Sequence, residues 1–344
     1  MNNYDSYKDE RYILNLVKGY TAVDENGATV RYKVTSTDVT VADNVAAVDL
    51  SNINYTSITP NSNPNTLYII GSGQTAPESL DGKNVVKGGV AEQITLTDGH
   101  AFYSPVDFTA TNISYTRTES TYYDKDTQKG WTTLVLPFAP AGIKTYVGET
   151  KYDLTWFTSA EETDKNLWLM KFDDEHNGIV DFGYAGSTLE ANKPYIMALP
   201  GDSYGNKWSL EGLPIIFYAA NADIKANAKA TTVGTNYKFV GTTLSKTNLT
   251  DIYKLNADGD QFVLGTTASI EPFRAYFAPT STAATAKELS IGFGRNVITN
   301  VLELKGVTEV KDADNNSIYN MNGQRVNKPV KGLYIVNGKK VVIK

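Results

Sequence analysis

Five of the chain's Asn-Gly or Asp-Gly pairs, spread from end to end, lie between alternating apolar runs. They are Asn26-Gly27 in YTAVDENGATVRYKV, Asn177-Gly178 in LWLMKFDDEHNGIVDFGY, Asp258-Gly259 in DIYKLNADGDQFVLG, Asn322-Gly323 in IYNMNGQRV and Asn337-Gly338 in GLYIVNGKKVVIK. Such pairs supply the positive φ of a type I′ turn, so each marks a β-hairpin. Five hairpins from end to end constrain the chain to an all-β fold with mostly antiparallel sheet. Composition agrees: Tyr is frequent at 22 residues, Thr and Asn are abundant, and Ala-Leu-Glu-Lys helical texture is scarce. One helical turn is expected in SAEETDKN, Ser159 to Asn166.

A chain of 344 residues exceeds a typical single domain. Three regions are read. Residues 1–100 form an N-terminal β region whose short strands recur between Val45 and Leu96, 19 residues from Val48 to Leu67 and 18 from Leu67 to Val85. That spacing fits either the rungs of a short parallel solenoid or an irregular sheet. Residues 101–296 read as a central antiparallel β-sandwich, jelly-roll-like, from GWTTLVLPFAP, KPYIMALP, PIIFYAA, NYKFVGTTL and PFRAYFAP with their Pro and Gly punctuation. Residues 297–344 form a small C-terminal β module.

Composition excludes several functions. No cysteine is present, so disulfides and Cys-ligated zinc or iron–sulfur sites are ruled out. The net charge of −6 carries no basic stripe, which argues against nucleic acid as a partner. No run approaches the about 18 apolar residues of a membrane span. The start, MNNYDSYKDERY, is polar and lacks an apolar h-region, so no signal peptide is read there. The chain is then either cytoplasmic or a mature form from which the export signal has been removed.

The tail departs from the rest. From Ser317 onward it holds Arg325, Lys328, Lys331, Lys339, Lys340 and Lys344 and no acid, leaving about −12 on the remainder. Ile318-Tyr319-Asn320, Gly323-Gln324-Arg325-Val326, Lys331-Gly332-Leu333-Tyr334-Ile335 and the strand Lys339 to Lys344 resemble the end of the C-terminal sorting domain of Bacteroidota type IX secretion. The Pro-Asn-Pro-type lead-in of longer members is missing, so the tail is a shortened form. ITLTDGHAFYSPVDFTATNISYTRT, GWTTLVLPF and LEANKPYIM are similar to β-rich modules of secreted or surface Bacteroidota proteins, which accompany leucine-rich-repeat adhesin-like regions. The resemblance spans roughly residues 45–344. It implies export to the outer-membrane surface or beyond, with export or anchoring machinery as a partner of the tail, and it transfers no active site. On a terminal hairpin with an open edge, Arg325, Lys339, Lys340 and Lys344 would repel like copies and serve recognition.

Catalytic and metal signatures are weak. Two histidines, His100 and His176, cannot build a His₃ zinc site, and neither a G-x-S-x-G elbow nor a G-x₄-G-K-[ST] loop occurs. Both histidines read as ordinary loop residues. The acidic turns DKDTQKG (Asp124 to Gly130), DDEHNG (Asp173 to Gly178) and DADNN (Asp312 to Asn316) miss the EF-hand pattern and read as solvated turns. No catalytic residue, metal ligand or cofactor is assigned. Trp131 and Trp168 lie inside apolar strands and read as core. Trp208 and Tyr204, in a polar, Gly-rich stretch, are the candidate sugar-stacking residues, against partial burial as the ordinary reading.

The resulting expectation is an exported, non-enzymatic, adhesin-like surface protein that binds a host protein or glycan. A carbohydrate-binding accessory protein of glycan utilisation is the alternative, and a hydrolase comes third. An exposed aromatic row on one sheet face would favour sugar, and a cleft with paired carboxylates would favour hydrolysis.

Overall fold

A computed structural model describes residues 19–34, 36–119, 122–124, 127–201, 210, 212–280 and 286–293, and the backbone of four strands beyond them. Residues 19–97 form β1 (Gly19–Asp24), β2 (Thr29–Lys33), β3 (Asp38–Thr40), β4 (Val45–Asp49), β5 (Ser57–Thr59), β6 (Leu67–Ile70), β7 (Asn84–Lys87) and β8 (Val90–Thr97). Then come β9 (Phe108–Thr118), β10 (Tyr122–Tyr123), β11 (Thr132–Leu134), β12 (Gly142–Val147), β13 (Thr150–Leu154), β14 (Trp156–Phe157), β15 (Leu167–His176), β16 (Ile179–Tyr184) and β17 (Tyr195–Pro200). The series continues with β18 (Pro214–Ile224), β19 (Ala230–Val233), β20 (Tyr237–Thr242), β21 (Lys246–Leu249), β22 (Ile252–Leu255), β23 (Gln261–Gly265), β24 (Ala268–Ile270), β25 (Arg274–Pro279) and β26 (Glu288–Phe293). Last are β27 (Val307–Glu309), β28 (Ile318–Tyr319), β29 (Gly332–Val336) and β30 (Lys339–Ile343).

The protein is all-β. Among the described residues the helix is a single 3-10 turn at Glu78–Leu80. The turn expected in Ser159 to Asn166 is not helical: Glu162 Oε2 accepts from the Thr158 N–H at 2.6 Å and holds an irregular loop. Four of the five Asn-Gly or Asp-Gly hairpins are present, joining β1 to β2, β15 to β16, β22 to β23 and β29 to β30. The fifth, at Asn322-Gly323, lies outside the described residues.

Two large sheets carry the fold. The first runs β13-β12-β18-β9-β8-β7-β6-β4-β1-β2. The second runs β10-β17-β15-β16-β26-β23-β22-β25-β20-β19, with β11 on β17 and β14 on β15. Both are mixed rather than purely antiparallel. In the first, β4, β6 and β7 pair in parallel, with Ala47 opposite Leu67 and Leu67 opposite Asn84, and β3 pairs with β5 in parallel beneath them. These are stacked rungs, close to the spacing read in the sequence. Pairing continues across residue 100, since β8 lies parallel to β9 from Val90–Thr109 to Thr97–Thr116.

Burial explains the continuous apolar runs. One core joins Ala47, Leu67 and Ile94 to Ile113, Ile143 and Phe217 of the first sheet and to Leu167, Leu169 and Met197 of the second. A second core collects Trp168, Met170, Phe172, Phe182, Phe239, Phe262 and Phe277 on the other side of the second sheet. Phe172 lies 4.9 Å from Phe277 and Phe182 lies 5.6 Å from Phe239, so this sheet curls round its own aromatic core. Strands β15 and β17 are therefore covered on both faces, which is why LWLM and YIMALP do not alternate. A third core of Val39, Val45, Val48, Ile58, Tyr68 and Leu80 fills the rungs.

The rungs turn on buried asparagines. Asn65 Nδ2 donates to the Thr97 and His100 carbonyls at 2.8 and 2.7 Å, and its Oδ1 accepts from the Thr97 N–H at 2.7 Å. Asn84 does the same for Pro64 and Thr95; Asn61 Nδ2 donates to the Ala42 and Val45 carbonyls at 3.0 and 2.8 Å, while its Oδ1 accepts from the Tyr68 hydroxyl at 3.0 Å. A side-chain amide supplies the donor and acceptor that buried turn backbone lacks.

The C-terminal sheet has the order β27-β30-β29-β28. Strand β30, with Lys339 and Lys340, pairs with β29 on one side and with β27 on the other. The open edge expected at Lys339 and Lys340 is thus covered, because Val307–Glu309 lies alongside it in parallel; among the described strands the outer ones are β27 and β28.

Candidate functional site

Strand β9 turns Phe108, Ala110, Ile113 and Tyr115 inward, and then Arg117 in the same direction. A guanidinium pointing into a core must find acceptors. Arg117, with a side chain 2% exposed, donates to the Thr133 carbonyl at 3.1 Å and to Thr132 Oγ1 at 2.9 Å, and it ion-pairs with Glu119. Its Nε lies 4.0 Å from Asp98 Oδ2. Asp98, just past β8, accepts two hydrogen bonds from Arg274 at 2.7 and 2.6 Å and one from the Tyr115 hydroxyl at 2.5 Å. Arg274 opens β25 in the second sheet, so this two-pronged pair bolts one sheet to the other. Thr133 completes the link by accepting the Ala275 N–H at 2.9 Å.

The cluster balances two acids against two bases. Burial pushes the Asp98 carboxyl up, but the two guanidiniums and the Tyr115 hydroxyl outweigh it and hold the group below its ordinary value. Burial also raises Glu119, and there Arg117 offsets it only in part. Burial raises Tyr115 strongly. Phe273, beside Arg274, has φ +61, a left-handed conformation rare for a bulky residue and one that the packed core must maintain.

A pocket of about 240 Å³ opens against this cluster, lined by Glu119, Thr132, Lys254, Asn256, Glu271 and Arg274 among others. Ala257, at one side of the lining, leads into the Asp258-Gly259 turn. Gly130 and Trp131 donate their N–H groups to the Asp258 and Gly259 carbonyls at 2.9 and 3.1 Å. A Cβ on Gly259 would stand 2.2 Å from the Trp131 carbonyl oxygen, and Gly259 also has φ +69, so glycine is required there.

A second surface lies on the outer face of the first sheet. Tyr146, Tyr218, Lys144 and Lys151 gather there, opposite inward-facing Ile143 and Phe217. Lys144 Nζ sits 4.8 Å from the centre of the Tyr218 ring and 5.6 Å from that of Tyr146, and Lys151 Nζ sits 5.7 Å from Tyr218. Lys151 also pairs with Asp153 at 2.8 Å. Gly142 lies directly across from Tyr218, and its missing side chain leaves room for the ring.

Of the residues singled out in the sequence, Trp208, Tyr204, Arg325 and Lys344 lie outside the described residues, as does the turn at 312–316. Lys339 and Lys340 are placed in β30 by backbone only. Trp131 and Trp168 are core, 4% and 2% exposed. His100 sits on an exposed turn, and His176 Nδ1 lies 2.6 Å from Asp181 on an exposed hairpin. The acidic side chains of the other two turns serve the fold. Asp124 caps its own turn through Thr127, while Asp174 and Glu175 accept from the Thr235 and Asn236 N–H groups at 3.0 Å each. No group of three or more His, Asp or Glu side chains suited to a metal ion occurs among the described residues.

Asp98, Arg117, Glu119 and Arg274 were not singled out in the sequence. The available signal was the inward position of Arg117 in the pattern of FTATNISYTRT, a charge where the alternation calls for an apolar side chain. Comparison with protein-family models, with curated proteins and with solved structures yields no match, so the sorting-tail and adhesin-module resemblance rests on the quoted residues alone.

Proposed function

We propose that the chain is an exported, non-enzymatic, adhesin-like protein, secreted or held at the outer-membrane surface, that binds a host protein or glycan. The observation that supports it best is the outer face of β12, β13 and β18, where two tyrosines and two lysines lie on a broad sheet. Such a surface offers aromatic area and charge to a large partner without surrounding it. The buried charges, by contrast, are engaged with one another between the sheets. The basic tail supports a role in export or anchoring.

The test is binding of the purified chain to arrayed glycans and immobilised matrix proteins, beside the double variant Tyr146→Ala/Tyr218→Ala. The expected result is a ligand whose binding falls about tenfold in the variant, equivalent to about 1.4 kcal/mol, with melting unchanged. Equal binding by both proteins, or turnover of the ligand, would count against the proposal. The carbohydrate-binding accessory reading has its own support, since tyrosine rings on an exposed sheet face suit stacking against a sugar ring.

A further inference from the structure

We propose that the pocket lined by Thr132, Lys254, Leu255 and Glu271 is a binding site for one neutral, pyranose-sized sugar unit. This inference rests on the carbohydrate-binding reading, and it places the ligand at the sheet junction rather than on the tyrosine face.

Size gives the first constraint. At about 240 Å³ the pocket lies below the range of roughly 300–1,000 Å³ typical of drug-sized ligands, which suits a single ring. Charge gives the second. The lining holds Glu119 and Glu271 against Lys254 and Arg274. Arg274 is already clasped by Asp98 on both prongs, and Glu119 lies against Arg117. An ion at Arg274 or Glu119 would compete with pairs already formed and partly buried, and Lys254 and Glu271 carry opposite charges, so the site offers little net attraction to an ion.

Directional hydrogen bonding is what remains. The exposed Lys254 ammonium and Glu271 carboxylate supply donors and an acceptor in the lining, beside Thr132 Oγ1, which accepts from Arg117, and Asn256, whose side chain is bonded to Asp260 and Gln261. Each hydroxyl of a sugar both donates and accepts, so neighbouring hydroxyls match such an alternating set. Leu255, Ile270 and Ala257 supply apolar lining for the C–H face of a ring. Part of the lining is preformed, because Gly130 and Trp131, which line the pocket, donate their N–H groups to the adjoining Asp258-Gly259 turn, and preorganisation lowers the ordering cost of binding.

Saturation-transfer NMR on the full chain tests this, with the methyl glycosides of glucose, galactose and mannose as probes and glucuronate and glucosamine as charged counterparts. At least one neutral glycoside should receive transfer and bind more tightly than either charged sugar. Ala257→Trp, which fills the exposed mouth, should abolish the signal. Glu271→Gln, an exposed rim change that leaves the buried cluster intact, should weaken binding about tenfold and keeps the test decisive if the tryptophan variant fails to fold. Absence of transfer to every neutral glycoside, tighter binding of glucuronate, or a signal untouched by both variants would overturn the proposal. Loss of the signal in Tyr218→Ala with retention in Ala257→Trp would also overturn it, while leaving the carbohydrate-binding reading in place on the tyrosine face.

Discussion

Replacing Asp98 by Asn probes the junction between the sheets most sharply. The substitution keeps the shape but removes the charge that faces Arg274 at 2.6 and 2.7 Å and Arg117 at 4.0 Å. Glu119 would then be the remaining acid of the cluster, opposite two guanidiniums whose side chains are 2% and 21% exposed. Removing one partner of a buried pair costs about 3–5 kcal/mol, because the other charge stays behind without compensation. At about 2 °C per kcal/mol for a chain of this size, melting should fall by about 6–10 °C. Urea unfolding followed through tryptophan fluorescence reads the same loss, since Trp131 and Trp168 are buried. The double variant Asp98→Leu/Arg274→Met should recover much of it, as apolar replacement of a whole pair is often near neutral. The effect should also depend on pH. The folded Asp98 carboxyl lies below its ordinary value of 3.8, so its stabilising contribution is full above that value and is lost as pH falls through the folded one. Parent and Asp98→Asn should therefore converge in strong acid. A loss below 1 kcal/mol at neutral pH, or a double variant no better than the single one, would refute the clamp.

Further outcomes follow from the same geometry. Glu119, raised above its ordinary 4.5 by burial, gives the opposite slope: stability declines as pH rises from 4.5 through the folded value, and Glu119→Gln should flatten that segment of a melting-versus-pH curve. Phe277→Ala should cost about 3–5 kcal/mol in urea unfolding, since it empties the centre of the second core. Asn65→Ala should cost about 3 kcal/mol, because buried turn groups left unsatisfied cost about 1–3 kcal/mol each; a loss under 1 kcal/mol would mean that the rungs do not depend on it. Removal of Ile318 to Lys344 should leave the melting temperature of the two-sheet body unchanged while abolishing surface labelling of the native cell.

Hairpins were legible because each Gly supplies a positive φ, but of the described turns the type I′ expectation holds only at Asn177-Gly178; at Asn26-Gly27 and Asp258-Gly259 the glycine alone has positive φ. The parallel pairing of β4, β6 and β7 was one of the two readings their spacing left open. The doubly covered strands β15 and β17 could be read as buried but not assigned to layers, since a continuous apolar run carries no face. The pairing of β8 with β9 across residue 100 left no local mark: parallel neighbours share register only in space. The same holds for Asp98 and Arg274, 176 positions apart and joined by two hydrogen bonds. The face holding Tyr146 and Tyr218 was not read from the sequence, where Trp208 and Tyr204 were the candidates, because an alternating strand shows which residues share a face and not which face meets solvent.

The most direct measurement is adhesion of native cells carrying either the parent chain or Tyr146→Ala/Tyr218→Ala, with antibody labelling of intact cells to show equal display. The account predicts that both proteins are labelled at the surface and that adhesion to the ligand surface falls about tenfold in the variant. A chain that cannot be labelled on intact cells, or adhesion that is the same for both proteins, would contradict it.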